Sequence, residues 1–315
     1  MKTYYFSIFL KLVLISIFVS ILLLEIFYNK NLIINIISNN IIFLLILLAL
    51  QLCYLLIYNF RTYSVYKNFL NKSVSIYFWS TFFFKSLIYN ISINSAGTIY
   101  RALVLKRMGI KYEKFLSIFF LLFFSYFIIN FFYILLEVLF FTDLSLKLKL
   151  YYLLIFLLLF FFFVLIPKTL TIILKKLIFI NINIKKIFYI FNFLVNFFKN
   201  KSLNKNFYNI FILGSALHLF ELLIFYFSCK IFITHFSFEK ILLLFVVSFL
   251  LDRIPFVSSI VGSNEIIFGF FSTYLGLLFH EGVLIKFIIR LTGVIVIVFS
   301  FIYSFFSLKS KKSIL

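Results

Sequence analysis

The chain has 315 residues, 65% hydrophobic and 12% charged, against about 45–50% apolar and about 25% charged in soluble domains. A water-soluble globule of this composition lacks the polar surface to cover itself. Two cysteines, eight glycines and two prolines exclude a disulfide scaffold, a collagen-like repeat and a disordered chain. The net charge of +21 comes from 30 Lys+Arg against 9 Asp+Glu. These basic residues fall between apolar runs, so they read as cytoplasmic flanks under the positive-inside rule, and no nucleic-acid partner is expected. The expected fold class is an all-α polytopic membrane protein, a single integral membrane domain over residues 1–315, with about eight apolar spans.

Apolar segments fall at about 6–28, 40–59, 76–93, 115–141, 150–167, 207–229, 240–256, 265–280 and 284–306. The first follows Lys2 without a small-x-small cleavage pattern and reads as a retained span, not a removed signal peptide. Cys53 and Cys229 lie inside apolar segments and read as small packing hydrophobes. A full crossing at 76–93 puts Arg101, Lys106, Arg107, Lys111 and Lys114 outside, so 76–97 is read as a re-entrant helical hairpin. With both termini cytoplasmic, 20 basic residues are then inside. Six (Lys30, Lys147, Lys149, Lys230, Lys240, Lys286) are outside, and four (Lys11, Lys85, Arg253, Arg290) lie within apolar segments. The basic stretch 168–206 repeats apolar residues every three to four positions. It reads as an amphipathic helix on the cytoplasmic leaflet, with a solvated basic loop as the equal alternative. Segments 240–256 and 265–280 are short. They fit two short spans or a second hairpin entering from outside, and the second choice gives the opposed broken hairpins of inverted-repeat transporters.

A charge inside hydrocarbon costs roughly 2.5–3.5 kcal/mol and persists where it pairs, lines a wet cavity or binds substrate. Lys85, Glu221, Asp252, Arg253, Glu265 and Arg290 are such charges, with His218 as a polar companion. Lys11, Glu25 and Glu137 lie nearer segment ends, where snorkelling is cheaper. Gly214, His218, Glu221 and Ser228 share one helical face, where a hydrogen bond within or between helices is preferred to a metal site and a His218–Glu221 proton relay is an open option. Lys286, Arg290 and Gly293 share another face. The natural partners of Arg290 are Glu265, Glu221 or a lipid phosphate.

Residues 93–101 are small and polar. Gly97 suits a tight reversal, and a helix starting after it aims its positive end and then Arg101 at an anion. Residues 252–265 hold Asp252, Arg253, Pro255, Gly262, Asn264 and Glu265, a density of polar and helix-breaking residues tolerated at membrane depth only beside protein or water. The expected substrate-binding residues are therefore Gly97, Arg101, His218, Glu221, Asp252, Arg253, Gly262, Asn264, Glu265 and Arg290. No catalytic residue, metal or cofactor is expected.

Gly97-Thr98-Ile99-Tyr100-Arg101 is followed by Leu103-Val104-Leu105-Lys106-Arg107-Met108-Gly109. Later, Pro255 precedes Ser258-Ser259-Ile260-Val261-Gly262-Ser263-Asn264-Glu265, with Arg290 in the last segment. In this order the stretches resemble the transmembrane, flippase-like domain of the lysylphosphatidylglycerol synthase family. That family shows Pro-x-x-x-Gly-acid-x-x-Arg, Leu-Leu-x-Arg-Arg-x-Gly, then Pro-Gly-Gly-x-Gly-x-x-Glu and an Arg in the final helix. Here Thr98 stands at the acidic position, Ser259-Ile260 at the Gly-Gly pair, and no Pro precedes Gly97. The resemblance covers most of the chain by length and segment order. It implies a multi-pass protein of the cell (inner, cytoplasmic) membrane that moves an anionic lipid or a polyprenyl-phosphate-linked glycan between leaflets. The chain stops at Leu315 and lacks the soluble synthase domain, so the resemblance does not extend to lipid lysylation.

Two other classes stay open. A membrane glycosyltransferase needs acidic pairs in external loops, which here offer Asp143, Glu239 and Glu281 singly, and no Asp-x-Asp, Walker A or His-Glu-x-x-His pattern occurs. A non-transporting scaffold for envelope-glycan or lipid biosynthesis is the third. Without an ATP-binding motif, translocation runs downhill or on an ion gradient.

Overall fold

The computed structural model describes residues 16, 20–21, 23–67, 74–92, 96–142, 145, 149–150, 154, 204–233, 236–253 and 262–312. Nearly all of segment 150–167, the basic stretch up to residue 203, most of the first segment, and residues 254–261 lie outside them. Among the described residues all regular structure is helical. The helices are α1 (Lys30–Asn39), α2 (Ile41–Lys67), α3 (Ile76–Ser92), α4 (Ala96–Arg107), α5 (Tyr112–Phe141), α6 (Asn204–Phe232), α7 (Phe238–Arg253), α8 (Ser263–Thr273) and α9 (Phe279–Lys312).

Stretches of α2, α5, α6 and α9 are long and apolar enough to cross a membrane: Ile41–Lys67, Tyr112–Phe141, Tyr208–Phe232 and Phe279–Phe306. Against about eight expected spans, the described residues give these four. The other helices of segment 76 onward are short: 17 residues in α3, 12 in α4, 16 in α7 and 11 in α8. At about 1.5 Å per residue none reaches the roughly 30 Å of a hydrocarbon core. They associate in two sequential pairs, α3 with α4 and α7 with α8.

The chain divides into two compact units. The first is Met1–Cys53 with Phe220–Val296, and the second is Tyr54–Leu219 with Ile297–Leu315. The divisions fall inside α2, α6 and α9.

In the second unit, Trp79 of α3 is 1% exposed and is ringed by Tyr63, Tyr66 and Phe82, with Phe115 of α5 stacked on Tyr66. Large edge-to-face and tilted rings of this kind contribute about 0.5–1.5 kcal/mol per pair beyond their buried area. Tyr100 of α4 lies against Phe82 and Tyr89 of α3, with centroids 5.8 and 5.0 Å away. The pair thus forms an antiparallel hairpin. Gly97 lies inside α4 and not in the reversal where its type suggested it. Its role is close approach: a Cβ there would sit 1.8 Å from the Ser86 carbonyl oxygen, and its N–H donates to Asn90 Oδ1 at 2.8 Å. Helix α4 ends in a Schellman turn, with Ile110 N–H on Leu105 O and Gly109 N–H on Lys106 O. Gly109 takes φ 91° there, which accounts for a glycine at that position.

In the first unit, Phe225 of α6 meets Phe245 of α7 and Phe268 of α8 at 5.6 and 5.9 Å. The apolar segment read as 265–280 is split: α8 stops at Thr273 and α9 begins at Phe279. A second Schellman turn causes the break, with Leu277 N–H on Ser272 O and Gly276 N–H on Thr273 O. Glu281 then accepts the Leu278 N–H at 2.9 Å and starts α9. This earlier start puts Lys286 two turns inside a helix.

Candidate functional site

Three polar groups occupy the helices just described. The first joins α7, α8 and α9 in the first unit. Lys286, 6% exposed, donates to Ser248 Oγ at 2.8 Å and to both oxygens of Asp252 at 2.9 and 3.0 Å. The sequence had placed Lys286 outside the membrane. The helix that begins at Phe279 instead carries it inward to meet α7, where Ser248 and Asp252 stand one turn apart. Its ammonium also lies 5.8 Å from the Phe268 ring centroid. Asp252 accepts a further hydrogen bond from Asn264 Nδ2.

One residue on, Glu265 is 2% exposed, and one turn on from Lys286, Arg290 Nη1 donates to Glu265 Oε1 at 2.8 Å. Glu265 is thus one of the three partners the sequence left open for Arg290. The carboxylate sits in the first turn of α8, whose N-cap Gly262 has φ 86°. The dipole of α8 favours a negative charge at that end. Glu265 Oε2 is buried without a hydrogen-bond partner among the described residues. Two cations of α9 are therefore paired with carboxylates of α7 and α8, with Asp252 and Arg290 as the more accessible members (45% and 39% of their side chains exposed).

The second group joins α5 and α6 in the second unit. His218, 2% exposed, has Nδ1 2.7 Å from Asn130 Oδ1 and Nε2 2.8 Å from Glu137 Oε1. The Tyr133 ring stacks on the imidazole at 5.1 Å. Asn130 Nδ2 donates to the Tyr126 carbonyl at 2.8 Å, which fixes the amide's orientation. Glu137 does not snorkel as its place in the sequence suggested. Its side chain is 12% exposed because α5 turns that face onto α6. Both nitrogens of His218 are taken up by α5, so the interhelical alternative holds for this residue.

The third group is the α3–α4 hairpin. Arg101 of α4 is 9% exposed. Among the described residues its Nε has no hydrogen-bond partner and no carboxylate pairs with it. Lys85 of α3 is half-buried, with its ammonium 5.6 Å from the Tyr100 ring centroid. A cation withdrawn from water and left without an anion is costly.

Of the expected site residues, Asp252, Gly262, Asn264, Glu265 and Arg290 come together in the first unit. Glu221 is half-buried on α6 in that unit. Gly97 and Arg101 share the hairpin of the second unit, and His218 stands with α5 in the same unit. The Arg253 side chain and residues 254–261, Pro255 among them, lie outside the described residues.

Sequence reasoning missed Asn130, Glu137, Ser248 and Lys286 as members of these groups. It also missed Arg61, counted as a cytoplasmic flank. Because α2 runs on to Lys67, Arg61 is 1% exposed, donates to Ser125 Oγ at 2.8 Å and lies over the Tyr126 ring. The available signal was spacing: Asn130 and Glu137 are seven apart, Ser248 and Asp252 four, Lys286 and Arg290 four, each a shared helix face. No family model, curated protein or solved structure matches the chain.

Proposed function

We propose that this chain is a multi-pass protein of the cell membrane that binds an anionic lipid head group, or the phosphate of a lipid-linked glycan, and moves it between leaflets. Membrane embedding is supported by the exposed large apolar side chains along the long helices, among them Leu45, Leu52 and Leu56 on α2 and Leu291, Phe299 and Phe306 on α9. In water so broad an apolar surface is an association liability, whereas acyl chains cover it without cost. Removing the buried Arg61, Arg101 and Lys286 from the flank tally leaves the cytoplasmic excess of basic charge in place, as the proposed orientation requires.

The observation that carries the head-group reading is Arg101. A planar guanidinium withdrawn from water, without a carboxylate partner among the described residues, suits a phosphate that accepts two N–H bonds at once. It follows Gly97 and the first turn of α4, the stretch in which the family resemblance lies. The Glu265–Arg290 pair, with Arg290 part-exposed, supplies a second cation that is able to exchange a carboxylate for a lipid phosphate.

The test is lipid movement in proteoliposomes with a fluorescent anionic phospholipid, alongside a zwitterionic one. Losing one charge-assisted bond of about 1.5–3 kcal/mol lowers binding roughly ten- to a hundredfold. Arg101→Ala is expected to slow movement of the anionic lipid by that factor and Arg101→Lys by less. Arg290→Ala and Glu265→Ala are expected to slow it as well. Unchanged movement in all three alanine variants ends the proposal. Binding without any movement by the native chain replaces transport with the scaffold role.

A further inference from the structure

We infer that His218, Glu137 and Asn130 form a proton-binding site inside the α5–α6 helix pair, one that holds a single proton shared between the imidazole and the carboxyl group. The argument is independent of the lipid reading and rests on hydrogen-bond polarity. Asn130 gives its Nδ2–H to the Tyr126 carbonyl at 2.8 Å, so the atom it turns to His218 is the acceptor Oδ1. The opposite amide orientation would set Oδ1 against that carbonyl. His218 Nδ1 therefore carries a hydrogen and donates it.

A neutral imidazole with its hydrogen on Nδ1 has a bare lone pair on Nε2. That lone pair would face Glu137 Oε1 at 2.8 Å. Two acceptors at that distance repel unless a hydrogen lies between them. Two arrangements supply it: imidazolium with carboxylate, or neutral imidazole with carboxylic acid. Each contains one proton more than neutral histidine with glutamate. The fully deprotonated pair does not fit the contact.

The surroundings make that proton consequential. Asn130 is fully buried, and Ile134, Leu135 and Val138 are buried around the same face of α5. Glu137 Oε2 has no hydrogen-bond partner among the described residues, so the carboxyl group is held chiefly through His218. The groups facing the imidazole from α5 are Asn130, Tyr133 and Glu137. On α6 itself Glu221 follows one turn later. From α2, Arg61 is bound at Ser125 and Tyr126, with its guanidinium close to Gly214, one turn before His218.

When a base from the aqueous phase takes the shared proton, the Nε2 lone pair meets a carboxylate and the α5–α6 contact is driven apart. Uptake of one proton closes it again. This gives the chain an intramembrane site where protonation and helix contact are linked, the element an ion-gradient-driven process requires.

The test uses the full chain in lipid nanodiscs at neutral pH. The sequence has three histidines, His218, His235 and His280, so nitrogen-15 histidine spectra are simple, and a His218→Asn variant assigns the signals. Infrared absorption reports whether a protonated carboxyl is present. The expected result is a His218 ring protonated at Nδ1, together with either a second ring proton or a carboxylic acid band. In Glu137→Gln the side-chain amide donates to bare Nε2 in the same geometry, so that second ring proton or that band is lost.

A native His218 that is neutral, with no carboxylic acid band, overturns the inference, as does a bare Nδ1. So do Glu137→Gln nitrogen-15 and infrared spectra that are both identical to the native ones. The native measurement needs only the assignment variant, His218→Asn, to fold. Neither readout involves lipid transport, so this inference and the head-group reading fail separately.

Discussion

Burial decides which half of each ion pair is expensive to remove. Arg290→Met strands the Glu265 carboxylate at 2% exposure. Breaking a buried pair in that sense costs about 3–5 kcal/mol, of which the α8 dipole offsets about 0.3–1 kcal/mol. Glu265→Gln instead leaves Arg290, whose side chain is 39% exposed, free to reach water or head groups, at a cost of about 0–1 kcal/mol. Arg290→Met should therefore lower the thermal unfolding midpoint in detergent well beyond Glu265→Gln. The double variant Arg290→Met, Glu265→Leu should recover most of the loss, because it removes the stranded charge. Equal midpoints in the two single variants would show that the carboxylate is not the costly partner. Arg290 and Glu265 were legible from sequence because each is a charge that an apolar run tolerates only with a partner. The partners of Lys286 and His218 were not. Spacing along one helix gives the face a residue shares, but not which face of another helix meets it. The distance of Glu137 from the end of α5 made an outward route look cheap, and only the contact with α6 closes it.

At the scale of elements, two features of the sequence announced short helix pairs: segments too brief to span, and a basic cluster that full crossing would put on the wrong side. Their internal boundaries were less legible. The runs are apolar on all sides, so no periodicity marks where one helix stops, and the end of α4 and the start of α9 emerge only from backbone turns. Gly97 shows the consequence, since a residue suited to a reversal turns out to be a contact point within a helix. Its test is substitution. Gly97→Ala places a methyl 1.8 Å from the Ser86 carbonyl oxygen, so α3 and α4 must separate. Forced overpacking of this kind costs about 1–3 kcal/mol. Gly293→Ala is the control. There the nearest atoms, on Gln51, lie 3.7–3.9 Å from the added methyl, an ordinary contact. Unfolding midpoints should fall for Gly97→Ala and hold for Gly293→Ala. A Gly97→Ala variant as stable as the native chain would show that the hairpin does not need its close approach.

At the scale of the whole molecule the proposed topology turns on helix length. An α4 of 12 residues rises ~18 Å, which cannot cross ~30 Å of hydrocarbon. If α3 and α4 enter and leave from one side, their outer ends share that side and the bend between them never reaches the other. The proposed orientation makes that side cytoplasmic, with Arg107, Lys111 and Lys114 as its basic flank. With Cys53 and Cys229 replaced, single cysteines at Ser75, Lys111, Thr98, Ser145 and Ser237 can be challenged with an impermeant maleimide in vesicles of each orientation. Ser75→Cys and Lys111→Cys should react from the cytoplasmic side, Ser145→Cys and Ser237→Cys from the other, and Thr98→Cys not from the far side. Labelling of Thr98→Cys from outside would make the hairpin two crossings. Labelling of Ser75→Cys and Lys111→Cys from opposite sides would make it one. Either result moves Arg101 out of the cytoplasmic half of the bilayer, where the proposed function places its head-group contact.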